Sequence, residues 1–213
     1  MNTTGTFVDL ATNDAIQRSN TFFLEQCLGW SGVCIEPVQI HHSRIIRDRT
    51  CTLVPKAVSN VSGGSAIFQI PSKRTSGSAH FSEAMQWRSQ RKFQHAVVAL
   101  DTLGEIISQQ GISHIDFLSL DVEGHELEVL NGIDWANVEI DVIMCENHGV
   151  VDFLHARNYR RFVGMFRKGG DAVFVHGEFT LGVEQAGLKH VSQWWKPSGR
   201  NVERANRGVV GCI

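Results

Sequence analysis

Short apolar runs alternate with stretches of helical spacing along this chain, and the runs tend to end on acidic residues. Thr6-Phe-Val-Asp-Leu-Ala11 reads as a buried strand that enters the polar loop Thr12-Asn-Asp14. Ser19 and Asn20 are good caps for a helix carrying Phe22, Phe23, Leu24 and Leu28, and Gly29 stops it. Gly32-Val-Cys-Ile-Glu-Pro37 is a second strand, Val38 to Arg49 a helix, and Cys51 to Val58 a third strand. Ala66 to Ile70 reads as a fourth strand after the Gly63-Gly64 turn. Asp101 is expected to cap a helix through Leu103, Ile106 and Ile107 to Gly111. Ile115-Asp-Phe-Leu-Ser-Leu120 and Ile140-Asp-Val-Ile-Met-Cys145 are strongly apolar strands, with a helix at Leu127 and Leu130 between them. A helix over Val151 to Phe162 and a last strand at Ala172–Val175 complete the pattern.

Such alternation predicts an α/β fold: one doubly wound, mostly parallel sheet with helices on both faces, built from right-handed βαβ units. At 213 residues the chain fits a single domain, read as residues 1–188 followed by a polar, basic tail over 189–213. Residues 71–95 break the pattern and read as an insertion on the substrate side. The insertion carries Lys73, Arg74, Arg88, Arg91 and Lys92 against Glu83, and the tail is equally basic, so the remainder of a chain of net charge −2 is strongly acidic. A basic flap over an acidic body can recruit an anionic or sugar-containing acceptor, with Trp87, Trp194 and Trp195 available to stack on a ring. The competing account is a solvated loop with packed tryptophans. No RNA-reading motif supports a nucleic-acid target.

The chain shows neither an apolar run of membrane-spanning length nor a signal-peptide pattern at its start, so a cytoplasmic protein without a membrane partner is expected. Cys27, Cys34, Cys51, Cys145 and Cys212 are odd in number and form no C-x-x-C pair. All five are read as reduced and structural.

In sheets of this kind ligands bind beyond the carboxyl ends of the strands, where strand order reverses. Asp9, Glu36 and Asp121 stand at three such ends, and Glu146 with His148 at a fourth. Singly, each acid reads best as a solvated loop residue or helix cap; together they point to a shared ligand. Glu36 ends the second strand, where a carboxylate can accept bonds from both hydroxyls of a ribose. The loop Asp9-Leu-Ala-Thr-Asn-Asp-Ala15 lacks the glycines that let backbone approach a pyrophosphate, and Asp9 and Asp14 would repel one. That disfavours a nicotinamide dinucleotide. It favours a nucleoside with a cationic or zwitterionic tail, such as S-adenosylmethionine.

Phe7-Val-Asp-Leu-Ala-Thr-Asn-Asp-Ala15, Ser19-Asn-Thr21, Gly29-Trp30, Gly32-Val-Cys-Ile-Glu-Pro37, Ala57-Val58 and Ile115-Asp-Phe-Leu-Ser-Leu-Asp-Val-Glu-Gly-His-Glu126 resemble the FkbM-type S-adenosylmethionine-dependent methyltransferases. The likeness continues through Leu127–Ile133 and, more weakly, to Val175, about four-fifths of the chain in order and spacing. It implies a Rossmann-like methyltransferase fold and O-methylation of a small hydroxylated or glycosidic metabolite. Carried over by position, it places Asp9, Ala11, Asn13 and Asn20 around the methionine part of the cofactor. It sets Glu36 and Pro37 at the ribose, Ala57 and Val58 at the adenine edge, and Asp121 with Val122 near the transferable methyl. The family's first loop commonly reads D-x-G-A-N-D-G, whereas this chain has alanine at both glycine positions, Ala11 and Ala15. Each extra methyl crowds the loop, or strains it where φ is positive. A catalytically degenerate fold acting as a binding module is therefore the alternative reading.

Methyl transfer is an in-line displacement that needs alignment and, for a hydroxyl, a base. Asp121, Glu123 and His125 fall within one strand-to-helix turn as catalytic candidates, with His125 the expected base by its ordinary pKa. Glu126 reads as a brace for the following helix. No metal is expected, because Asp121, Glu146 and His148 have no diagnostic spacing, and His41-His42 point apart on a helix.

Overall fold

The computed structural model describes residues 4–71, 80–81, 93–145, 148–162 and 171–177. Its larger sheet has seven strands. β1 (Thr6–Leu10), β2 (Ser31–Ile35), β3 (Thr52–Val54), β8 (His114–Leu120) and β9 (Glu139–Cys145) are joined by β10 (Tyr159–Arg161) and β11 (Ala172–His176). The order is β10-β11-β9-β8-β1-β2-β3. β1, β2, β3, β8 and β9 run parallel, while β11 pairs antiparallel with both β9 and β10. From β1 the chain adds β2 and β3 on one side and β8 and β9 on the other. The strand order therefore reverses between β1 and β8.

Helices cover both faces. α3 (Leu103–Gln109), α4 (Glu126–Asn131) and α5 (Val151–His155) pack Leu103, Ile106, Ile107, Val129, Leu130 and Leu154 against Val8, Leu10, Leu118 and Ile143. On the other face α1 (Phe22–Leu28) and α2 (Gln39–Asp48) pack Leu24 and Ile45 against Phe7 and Cys34. Alternation along β1 divides the layers, with Val8 and Leu10 facing one and Phe7 the other. Ser19 Oγ accepts from the Phe22 N–H at the start of α1, and Gly29 ends it with φ 69°.

The expectation of one sheet needs correction. A second, four-stranded sheet of order β4-β7-β5-β6 is built from β4 (Ala57–Ser59), β5 (Ser65–Pro71), β6 (His80–Phe81) and β7 (Phe93–Thr102). The segment read as a third strand over Cys51–Val58 is thus two strands in different sheets, parted at Pro55, which has no N–H to continue a ladder. β7 had no counterpart in the sequence reading, and it pairs with β5 over seven positions, from Ser65↔Ala99 to Pro71↔Phe93. Most of the basic insertion, with Trp87, lies outside the described residues, as does the 189–213 tail with Trp194 and Trp195.

Three local expectations also change. The cap of α3 is Thr102, whose hydroxyl accepts from the Glu105 N–H; Asp101 instead binds Lys56 and Ser62. The helix expected over Val151–Phe162 stops at His155, and Asn158 at φ 64° turns the chain into β10. Cys34 and Cys51 form a disulfide between β2 and the approach to β3, so the reading of all cysteines as reduced does not hold. Cys145 is buried at the end of β9. No helix among the described residues is long and apolar enough to cross a membrane.

Candidate functional site

Register brings the candidate residues to one level of the sheet. Leu10 pairs with Ile35 on β2 and with Leu120 on β8. One step further along each strand stand Ala11, Glu36 and Asp121, side by side across the switch point. Two strand spacings separate Glu36 from Asp121, about 10 Å, the reach of a nucleoside.

Glu36 is the most specifically held of the three. It is 3% exposed, Oε2 accepts from the Asn13 N–H at 2.8 Å, and Oε1 accepts from the Val38 N–H at 2.7 Å. Each oxygen keeps a further acceptor site, so the carboxylate can still take two donors, as a ribose diol supplies. Burial, reinforced by the neighbouring Asp9, pushes its pKa to about 7 against the two backbone donors. His42 places Nε2 2.7 Å from the Glu36 carbonyl oxygen and braces the same turn. Pro37 follows, half-buried, before α2.

The first loop leaves β1 through two left-handed residues, Ala11 at φ 56° and Asn13 at φ 52°. Ala11 N–H donates to the Ile35 carbonyl, which tucks the loop against the end of β2. Asn13 is exposed with its N–H on Glu36, whereas Ala15 is fully buried in the α1/α2 layer. Asp14 turns away from the switch point: Oδ1 accepts from the Ile16 and Gln17 N–H groups, and Oδ2 pairs with Arg44.

Asp9 lies one residue short of the strand end, opposite Cys34 and Ser119, so its side chain enters the α1/α2 layer. There the Thr21 hydroxyl donates to Oδ2 at 2.5 Å, and Arg49 stands 3.8 Å away. Arg49 has no solvent-exposed side-chain surface; it bonds Glu25 at 2.7 Å, Thr21, Ser19 and the Ala15 carbonyl. Burial raises the Asp9 pKa in spite of these partners. For Glu25, bonds from the Thr50 backbone and from Arg49 outweigh burial and lower it. Sequence reasoning missed this network. Its one signal was an acid, Glu25, directly after the apolar run Phe22-Phe23-Leu24. Asn20 reaches across to β8, donating to Ser119 Oγ at 3.0 Å, and so joins the first loop to the strand that carries Asp121.

The turn after β8 holds the catalytic candidates. Asp121 and Val122 are half-buried, and Glu123 and Gly124 both take positive φ, 56° and 97°. Left-handed backbone at a glutamate stores strain where the candidate chemistry sits. Glu126, fully buried, accepts from the Gly124 N–H. His125 opens α4 with Nε2 2.9 Å from Ser59 Oγ and Nδ1 3.7 Å from Glu128. Burial lowers its pKa, with Glu128 and Glu126 opposing, so the ring is neutral near pH 7. Ser59 was not foreseen as a partner. It reaches His125 because Gly132, at the end of α4, lies so close that a Cβ there would meet the Ser59 carbonyl oxygen at 2.4 Å.

Ala57 and Val58 stand on the edge strand β4 of the second sheet, their side chains buried in separate apolar clusters. What they can offer a ligand at that edge is backbone. Glu146 lies outside the described residues, and His148 opens a short 3-10 turn over His148–Val150.

A family model for the methyltransferase FkbM domain matches residues 9–165, from the end of β1 to just past β10. Neither a curated protein nor a solved structure matches the chain.

Proposed function

The chain belongs to the methyltransferase FkbM domain family, and from that premise we propose that it is an S-adenosylmethionine-dependent O-methyltransferase acting on a small hydroxylated or glycosidic acceptor. The observation that carries the reading is the alignment of Glu36, Ala11 and Asp121 across the β1/β8 switch point, with Glu36 fixed by two backbone N–H groups. A reversal of strand order flanked by helices on both faces also supports a Rossmann-like fold.

In this reading Glu36 accepts the ribose hydroxyls and Pro37 shapes that turn. Backbone at Ala57 and Val58 borders the adenine. Ala11, Asn13 and Asn20 line the methionine part, and Asp9 acts from beneath, holding the loop through Thr21 rather than by contact. The cofactor supplies an activated methyl group. Asp121 and Val122 border the position of that methyl, Glu123 shapes the strained turn beside it, and His125, neutral near pH 7, receives the acceptor's proton. As base, His125 must exchange its bond to Ser59 for one to the acceptor.

The positive φ of Ala11 favours one rival, a degenerate fold that serves as a binding module. Calorimetric titration with S-adenosylmethionine and S-adenosylhomocysteine separates the two. Micromolar binding that weakens at least tenfold in Glu36→Ala supports the enzyme. A folded wild-type protein that takes up neither compound overturns it.

A further inference from the structure

The large sheet has a second cluster of chemistry at its other end. Among the described residues, His114, Asp116 and Asp141 bring one ligand atom each to within 4.8 Å of one another. His114 and Asp116 are alternate residues of β8 and share a face. The pairs Ile115↔Ile140 and Phe117↔Val142 set Asp116 across from Asp141 on β9. One imidazole and two carboxylates thus converge on one patch of two adjacent, hydrogen-bonded strands.

From this geometry we infer that His114, Asp116 and Asp141 form a three-residue, zinc-type divalent-cation site whose fourth position is open to solvent. Carboxylates placed directly opposite one another repel; here the Thr6 N–H donates to Asp116 Oδ2 at 2.7 Å, and His114 Nε2 lies 3.1 Å from Asp141 Oδ2. A dication between them neutralises both acids and binds the imidazole. Solvent reaches the site, because the His114 side chain is 46% and the Asp141 side chain 21% exposed. Mixed nitrogen and oxygen donors select zinc over calcium or magnesium, which take oxygen. The ligands sit on strands rather than loops, which preserves their spacing. Five residues of strand separate Asp116 from Asp121, about 17 Å. The cation therefore takes no part in the switch-point site; it clamps β8 and β9 at their far end.

Zinc chloride titrated calorimetrically into the full chain, with the Cys34–Cys51 bond intact, tests this. Expected are one zinc per chain at micromolar affinity or tighter, and a rise in melting temperature. Cobalt substituted for zinc should show the visible absorption of a four-coordinate site. His114→Ala changes an exposed side chain and should weaken binding at least tenfold, as should Asp141→Asn. Absence of saturable binding, or equal affinity in wild type and His114→Ala, overturns the site. Because neither S-adenosylmethionine nor methyl transfer enters the assay, failure of the proposed enzyme activity does not touch the outcome.

Discussion

The backbone N–H of Asn13 donates to Oε2 of Glu36 at 2.8 Å, so the loop leaving the first strand is fastened to the acid that ends the second. A carboxyl held this way and buried titrates near neutrality, and its charge state becomes visible in stability and in binding.

With a folded pKa of about 7 against an ordinary 4.5, Glu36 keeps a proton in the folded chain that the unfolded chain has released between those values. Its contribution to stability is greatest below the unfolded pKa and declines as pH rises to the folded one, by about 3 kcal/mol in all. Urea denaturation of wild type and Glu36→Gln across pH 4 to 9 checks this, and the difference between the two should carry that slope. Hydroxyl donors from a ribose favour the charged form. Cofactor binding near pH 6.5 should then release a proton, read as a buffer-dependent enthalpy that vanishes near pH 9.

Ala11 occupies left-handed backbone that glycine adopts freely. Ala11→Gly should stabilise the protein by about 0.5–1 kcal/mol, net of the greater entropy of a glycine-containing unfolded chain. It should also widen the loop. Under the enzyme reading cofactor affinity changes less than threefold; a rise above tenfold points to the degenerate fold. Denaturant midpoints and calorimetry give the two numbers separately.

Arg49 offsets Glu25 and stands beside Asp9 with its side chain fully buried. Arg49→Met leaves a buried carboxylate uncompensated and should cost about 3–5 kcal/mol, measured by chemical denaturation. Glu25→Gln in the same background should recover part of that loss, since it removes the orphaned charge.

These relationships mark where the sequence was readable. β1, β2, β8 and β9 are buried on both faces, so they stand out as continuous apolar runs. β7 mixes Gln94 and His95 with Val97 and Val98, is exposed along much of its length, and gains its partner β5 only across an intervening segment. Local pattern carries no trace of such a pairing. The three-residue β10, Tyr159-Arg-Arg161, is too short for a period to register. At the site, the levels of Glu36 and Asp121 followed from strand ends, while the direction of Asp9 did not. Its neighbour Leu10 faces the α3/α4 core, so alternation sends Asp9 the opposite way, toward an arginine that reads in sequence as an ordinary basic helix terminus.

The Cys34–Cys51 bond closes a separation of 17 residues beside the strand that ends in Glu36. A loop of that size removes about 3 kcal/mol of chain entropy from the unfolded state. Cys51→Ala leaves Cys34 as a small buried hydrophobe and should lower the melting temperature by about 6–12 °C. An unchanged melting temperature would mean that the two thiols are not joined in solution.

His125 sits between Ser59 and Glu128, and its catalytic and structural roles separate in kinetics. As base, it gives an acid limb in the pH profile of kcat/KM below the ordinary histidine value of 6.5, because burial disfavours the imidazolium. His125→Asn should then lower kcat by about 10²–10⁴ with cofactor affinity unchanged. Ser59→Ala frees Nε2 without removing the base or its burial, so most of kcat should survive with the acid limb still below 6.5. If His125 only secures α4 to β4, both variants lower the melting temperature and neither alters the profile. Measuring kcat/KM from pH 5 to 9 for wild type and the two variants decides between these roles.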